Sequence, residues 1–104
     1  MKRVAVTGIG VISPIGNSAA EIYENAYFGR SGIKLLNVPF AHRLAAPLAA
    51  TTMFNGADYF EPPKLRMLDR VSQFAVIAAN QALADANCDL NQIDRSRIGV
   101  FVGT

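Results

Sequence analysis

The sequence predicts an α/β fold with two apolar strands of the parallel-sheet kind, a short helix and one long, largely buried helix. Three observations carry this expectation. Arg3–Thr7 and Ile98–Val102 are short apolar runs without in/out alternation, each followed by a glycine. Runs of that kind suit strands covered on both faces. Between them, from about Pro63 to Ala86, polar residues recur on one stripe at helical spacing while apolar residues fill the rest of the circumference. A helix so apolar is expected in an interior, not on a wet surface.

In chain order, the first strand contains Val4-Ala5-Val6 and breaks into a turn carrying Gly8, Gly10, Pro14 and Gly16. Asn17 or Ser18 can then cap a helix over Ala19–Phe28, with Glu21 in its first turn where the dipole favours an acid and Gly29 as the terminating glycine. Residues 30–57 hold Gly32, Pro39, Pro47 and Gly56 with no sustained period. They predict an irregular excursion with short extended pieces near Leu35–Val38 and Leu44–Leu48. Such a long excursion suggests an interface or a site. Pro62 and Pro63 suit the first turn of the long helix, and Asn87 suits the left-handed position that ends it. Ligand sites in open parallel sheets form beyond the carboxyl ends of the strands. The second strand runs into Gly103-Thr104 at that point, so the expectation is a severed α/β unit with exposed apolar surface.

The balance of residues fits this view. The chain has 104 residues, is 51% hydrophobic and only 17% charged, which is apolar for one small domain whose surface is large relative to its volume. The excess predicts a partner or a larger whole. A net charge of +2 without a Lys/Arg cluster does not support nucleic-acid binding. Cys88 alone excludes an internal disulfide and suits a reducing compartment. With no charged leader and no apolar run of about 20 residues, neither a signal peptide nor a membrane span is expected, and the chain reads as cytoplasmic.

Gly8-Ile9-Gly10 opens like a dinucleotide fingerprint, but Ser13 occupies the sixth position and Pro14 follows where a phosphate-cradling helix should be under way. No acidic residue closes a second strand about 20 positions on, so no nucleotide cofactor is expected. His42 has no cysteine or carboxylate at ligand spacing, and no metal site is expected. Lys64, Arg66 and Arg70 cluster near the start of the long helix, where the dipole is already positive. They form either an anion-attracting spot or a solvated polar stripe in which Asp69 partly neutralises Arg66.

The ordered set RVAVTGIGVISPIGN, FGRSGI, LRMLDRVSQFAVIAANQALADA and RIGVFVGT resembles the amino-terminal part of β-ketoacyl-acyl carrier protein synthases. The resemblance extends over essentially the whole chain. It implies a truncated amino-terminal part of a thiolase-like fold, with residues 1–104 forming an incomplete ketosynthase segment. Complete members would join an acyl-cysteine to a malonyl-carrier thioester by decarboxylative condensation, in fatty-acid or polyketide pathways. It also implies that the turn glycines shape a tight strand-to-helix crossing.

The family's nucleophilic cysteine and two histidines fall beyond Thr104, so no catalytic residue and no cofactor is carried onto this chain. Cys88 follows a helix carboxyl end, which disfavours a thiolate, and reads as a small apolar contact. The chain alone is expected to be inactive. The other reading is a non-catalytic subunit, either chain-length-factor-like or complementing a separate polypeptide. The partners implied are an acyl carrier protein, met by Lys64, Arg66 and Arg70, and a homodimer or ketosynthase/chain-length-factor heterodimer mate. Arg66 matches a basic position of the family, Lys64 is shifted by one, and the neighbouring basic positions fall on Pro63 and Met67.

Overall fold

The computed structural model describes residues 1–103; Thr104, the end of the second predicted strand–glycine run, lies outside them. Its principal helices are α1 (Ala19–Tyr27), α2 (Pro62–Met67) and α3 (Arg70–Asp85), and its one sheet pairs β1 (Ile33–Leu35) with β2 (Leu48–Ala50). Single 3-10 turns occur at Ala41–Arg43, Gly56–Asp58 and Arg95–Arg97.

Helix α1 forms as expected, with Ser18 rather than Asn17 as its cap. The Ser18 hydroxyl accepts the Glu21 N–H at 3.2 Å, and the Glu21 carboxylate reaches back to accept the Asn17 N–H at 2.8 Å. Two orphan donors are thereby satisfied reciprocally. Gly29, at φ +64°, closes the other end. Asn87, at φ 49°, closes α3, and Cys88 donates its N–H to the Leu83 carbonyl.

Three expectations need correction. First, neither Arg3–Thr7 nor Ile98–Val102 is paired into a strand, and Val4 and Phe101 are 95% and 96% exposed. The only sheet among the described residues is antiparallel, with Ile33 opposite Ala50 and Leu35 opposite Leu48. It lies in the excursion, two residues before the first extended piece expected there and four after the second. A local antiparallel pair closes over a short connection. Two parallel strands about 90 residues apart need cover on both faces, and this chain does not supply it.

Second, the long helix is broken between Met67 and Arg70. Leu68 and Asp69 are extended, and the Asp69 carboxylate caps α3 by accepting the Ser72 N–H at 2.7 Å. Gln73, buried one turn on, donates to the Leu68 carbonyl at 2.9 Å. The break therefore supplies its own hydrogen-bond partners. Third, α3 is buried along one stripe only: Gln73 and Ile77 are inside while Val71 is 66% exposed.

The core is small, with Phe54, Phe60 and Ile77 buried and Ile12, Leu65, Leu68, Phe74 and Val76 packed around them. Three enclosed apolar side chains offset little of the entropy of ordering a hundred residues. The radius of gyration is 17.3 Å, against about 13 Å for a compact domain of this size.

The amino-terminal segment reaches this core by lying along α3 without side chains between them. A Cβ at Gly8 would meet Ala86 N at 2.7 Å, and one at Gly10 would meet Ala82 N at 2.6 Å and collide with the Ala78 carbonyl. The Ile9 N–H donates to Asp85 Oδ2 and the Val11 N–H to Gln81 Oε1, each at 2.9 Å. Gln81 Nε2 also donates to the Asn17 carbonyl at 2.8 Å, tying both ends of the turn between strand run and α1.

Two outcomes are expected. Gly10→Ala should lift the segment from α3 at a cost of about 1–3 kcal/mol, measured by chemical denaturation, because the obstructing atoms are helix backbone. The isolated chain should bind a hydrophobic dye and melt over a broad range; dye-free, sharply cooperative melting would contradict the exposed surface described here.

Candidate functional site

The basic cluster is built by the break in the helix. Pro62 and Pro63 occupy the first positions of α2, where their missing N–H groups cost nothing. The helix lasts six residues, so Lys64 and Arg66 stand in its last turn and Arg70 opens α3. The dipole argument made from the sequence therefore holds for Arg70 alone. Lys64 and Arg66 sit instead at a helix carboxyl end, the ordinary place for cations.

The three cations are held differently. Arg70 stacks its guanidinium against two rings, with Cζ 5.3 Å from the Phe54 centroid and 5.0 Å from that of Phe74. Those rings meet edge to face at 5.0 Å, and Phe54 also stacks on Tyr59 at 5.1 Å. Lys64 Nζ lies 5.7 Å from the Phe60 centroid. These contacts hold the charged heads of both residues against ring faces, although each residue as a whole is exposed. Arg66 is exposed, and the expected pairing with Asp69 does not form: Glu24–Arg30, at 3.7 Å, is the one ion pair among the described residues. Met67 and Val71, next in sequence to Arg66 and Arg70, are exposed as well.

Asp69 is committed to the cap. Hydrogen bonds from the Ser72 hydroxyl and Ser72 amide hold its carboxyl below the ordinary carboxylate range. The same chemistry, from Ser96, lowers Asp94 at the last 3-10 turn.

The other candidates are dispersed. His42 is exposed in the turn Ala41–Arg43, and Cys88 is half-buried just past α3. Among the described residues no three His, Cys, Asp or Glu side chains converge as a metal site would require. A depression of about 400 Å³ is lined by residues that include Ser13, Asn17, Asn25, Arg30 and Lys34. Its Arg30 guanidinium is already held by the Glu24 carboxylate and donates to Asn25 Oδ1. The residues that sequence reasoning missed are Asp69 as a cap, Gln73 beneath the break, and the Gln81/Asp85 pair. The spacing Asp69-x-x-Ser72 was the available signal for the first.

The whole chain, residues 1–104, matches the family described as "Beta-ketoacyl synthase, N-terminal domain". The protein belongs to that family. It is 39% identical to 3-oxoacyl-[acyl-carrier-protein] synthase 2 of Staphylococcus aureus (strain COL), over 99% of this chain and 25% of the relative. It is 35% identical to the granaticin polyketide putative beta-ketoacyl synthase 1 of Streptomyces violaceoruber, again over 99% of this chain and 25% of the relative. The chain thus spans about a quarter of the length of the curated relatives it matches. No helix is long and apolar enough to cross a membrane among the described residues.

Because the folded-state Asp69 carboxyl titrates below its unfolded value of 3.8, its cap stabilises α3 above that pH and is lost as pH falls through the folded value. Helix content followed by circular dichroism should therefore drop below about pH 4. Asp69→Asn, which keeps an acceptor oxygen but no titrating group, should remove that component of the drop; an unchanged acid profile would count against the cap.

Proposed function

We propose that this chain is the amino-terminal segment of a 3-oxoacyl-acyl carrier protein synthase with a thiolase-like fold. The observation that carries the reading is the state of its two apolar runs. Residues 3–7 and 98–102 have the composition of covered strands, yet they stand exposed and unpaired. A segment of this family with two uncovered apolar runs needs the remainder of a ketosynthase domain against it.

In the complete enzyme the reaction is decarboxylative condensation of an acyl thioester with a malonyl-carrier thioester, in a cytoplasmic homodimer or ketosynthase/chain-length-factor heterodimer. The nucleophile and the groups that stabilise the thioester oxyanion belong to the remainder, so this segment contributes scaffold and docking surface. Residues 1–104 alone should elongate no acyl primer.

Lys64, Arg66 and Arg70 form the face that meets the acidic acyl carrier protein. The exposed apolar side chains of Met67 and Val71 support this reading, since a carrier helix that is acidic on one side and apolar beside it would match both features. Arg66 is the cation with the greatest freedom to reach a partner, because Lys64 and Arg70 are stacked on rings. In a full-length enzyme, Arg66→Glu should weaken carrier-protein binding about tenfold at low salt, and the loss should shrink as salt rises. Equal affinity for the two forms in a titration at low ionic strength would overturn the assignment of this face.

A further inference from the structure

The contact between the amino-terminal segment and α3 has a register. Ala78, Ala82 and Ala86 form an i, i+4 ridge, and Gln81 and Asp85 form a second i, i+4 row beside it. Four helical residues advance about 6 Å and two extended residues about 6.8 Å. A segment running antiparallel to the helix can therefore place every second residue on successive members of each row. The structure does this, with Gly8 against Ala82 and Ala86 and Gly10 against Ala78 and Ala82. The N–H groups of Ile9 and Val11 reach Asp85 and Gln81 at equal distances of 2.9 Å. This two-residue alternation is that of an extended chain, obtained without any strand partner.

We infer that Gln81 and Asp85 act as a two-point template that sets the register of the amino-terminal apolar run before any sheet forms around it. The glycines let the backbone come close enough, and the two side chains stand where a neighbouring strand's carbonyls would otherwise accept. With the N–H groups of Ile9 and Val11 engaged, a slip by one residue would turn both acceptors toward the wrong edge and put the side chain of Ile9 on the alanine ridge. Gln81 also closes the turn at the Asn17 carbonyl, so the segment is fixed from both ends. The inference goes beyond the proposed function, because it does not depend on which polypeptide covers Val4 and Val6.

The test is amide hydrogen exchange on the 104-residue chain, with the α3 amides as internal reference. In the unmodified chain the amides of Ile9 and Val11 should be protected along with those of α3. Asp85→Leu should speed exchange about tenfold at Ile9, the loss expected from one modest hydrogen bond, while Asp85→Asn, which retains an acceptor, should leave Ile9 protected. Gln81→Leu should release Val11, and Gln81→Glu should keep Val11 protected, since only the donor to Asn17 is lost. Free exchange at Ile9 and Val11 in the unmodified chain, with or without a protected α3, would overturn the template. So would equal loss at both amides in Asp85→Leu, which would indicate general packing instead of two separate points.

Discussion

The close seating of residues 8–11 on α3 is the constraint from which the remaining arrangement follows. It requires two glycines, a ridge of alanines one turn apart, and acceptors on the adjoining row for the N–H groups that no sheet satisfies. From that contact the chain passes through the Ser13–Gly16 turn, closed by a bridge between those two residues, into the capped α1. Gln81 ties the far end of the turn back to the helix. Side chains larger than alanine along the ridge, or any Cβ at Gly10, would separate the two elements, and Ile12 would leave the core.

The same helix is given its position at the other end by the break at Leu68-Asp69. Had the helix continued through these residues, Arg66 and Arg70 would have shared one stripe with Asp69 between them. The break instead leaves the exposed Asp69 carboxylate to accept the Ser72 N–H, and Gln73 satisfies the last carbonyl before it. Asp69 forms no ion pair with Arg66 or Arg70 among the described residues. The aromatic group of Phe54, Phe60 and Phe74 then serves two roles: its centre closes the core, and its rim carries Arg70 and Lys64.

The structure is well capped locally and poorly enclosed globally. Serine, aspartate and asparagine caps are in place at Ser18, Asn55, Asp69 and Asp94. The interior, by contrast, holds three enclosed apolar residues, and the runs that composition marks as most apolar are among the most exposed. Local signals are complete within a few residues of chain, whereas burial needs surfaces from elsewhere in a fold. That contrast suits a segment of a larger ketosynthase domain, which is the reading proposed above.

The family could be read from the sequence, because the ordered motifs span the whole chain, and so could α1, its glycine stop and the left-handed Asn87, because caps and stops act over one turn. The identity of Ser18 as cap and the division of the long helix were within reach, but an apolar circumference hid the Asp69-x-x-Ser72 signal. The basic residues Lys64, Arg66 and Arg70 could be picked out in the sequence, but their place relative to the helix ends could not. The pairing of β1 with β2 and the bare state of Val4–Val6 and Val100–Val102 were decided only in three dimensions. So were the roles of Gln81 and Asp85, which in the sequence are two members of a polar stripe. Caps, stops and periodicity depend on neighbours in the chain, which the sequence determines by itself. Pairing, cover and the choice of hydrogen-bond partners 70 or more residues away depend on which surfaces meet, and only the tertiary structure decides that.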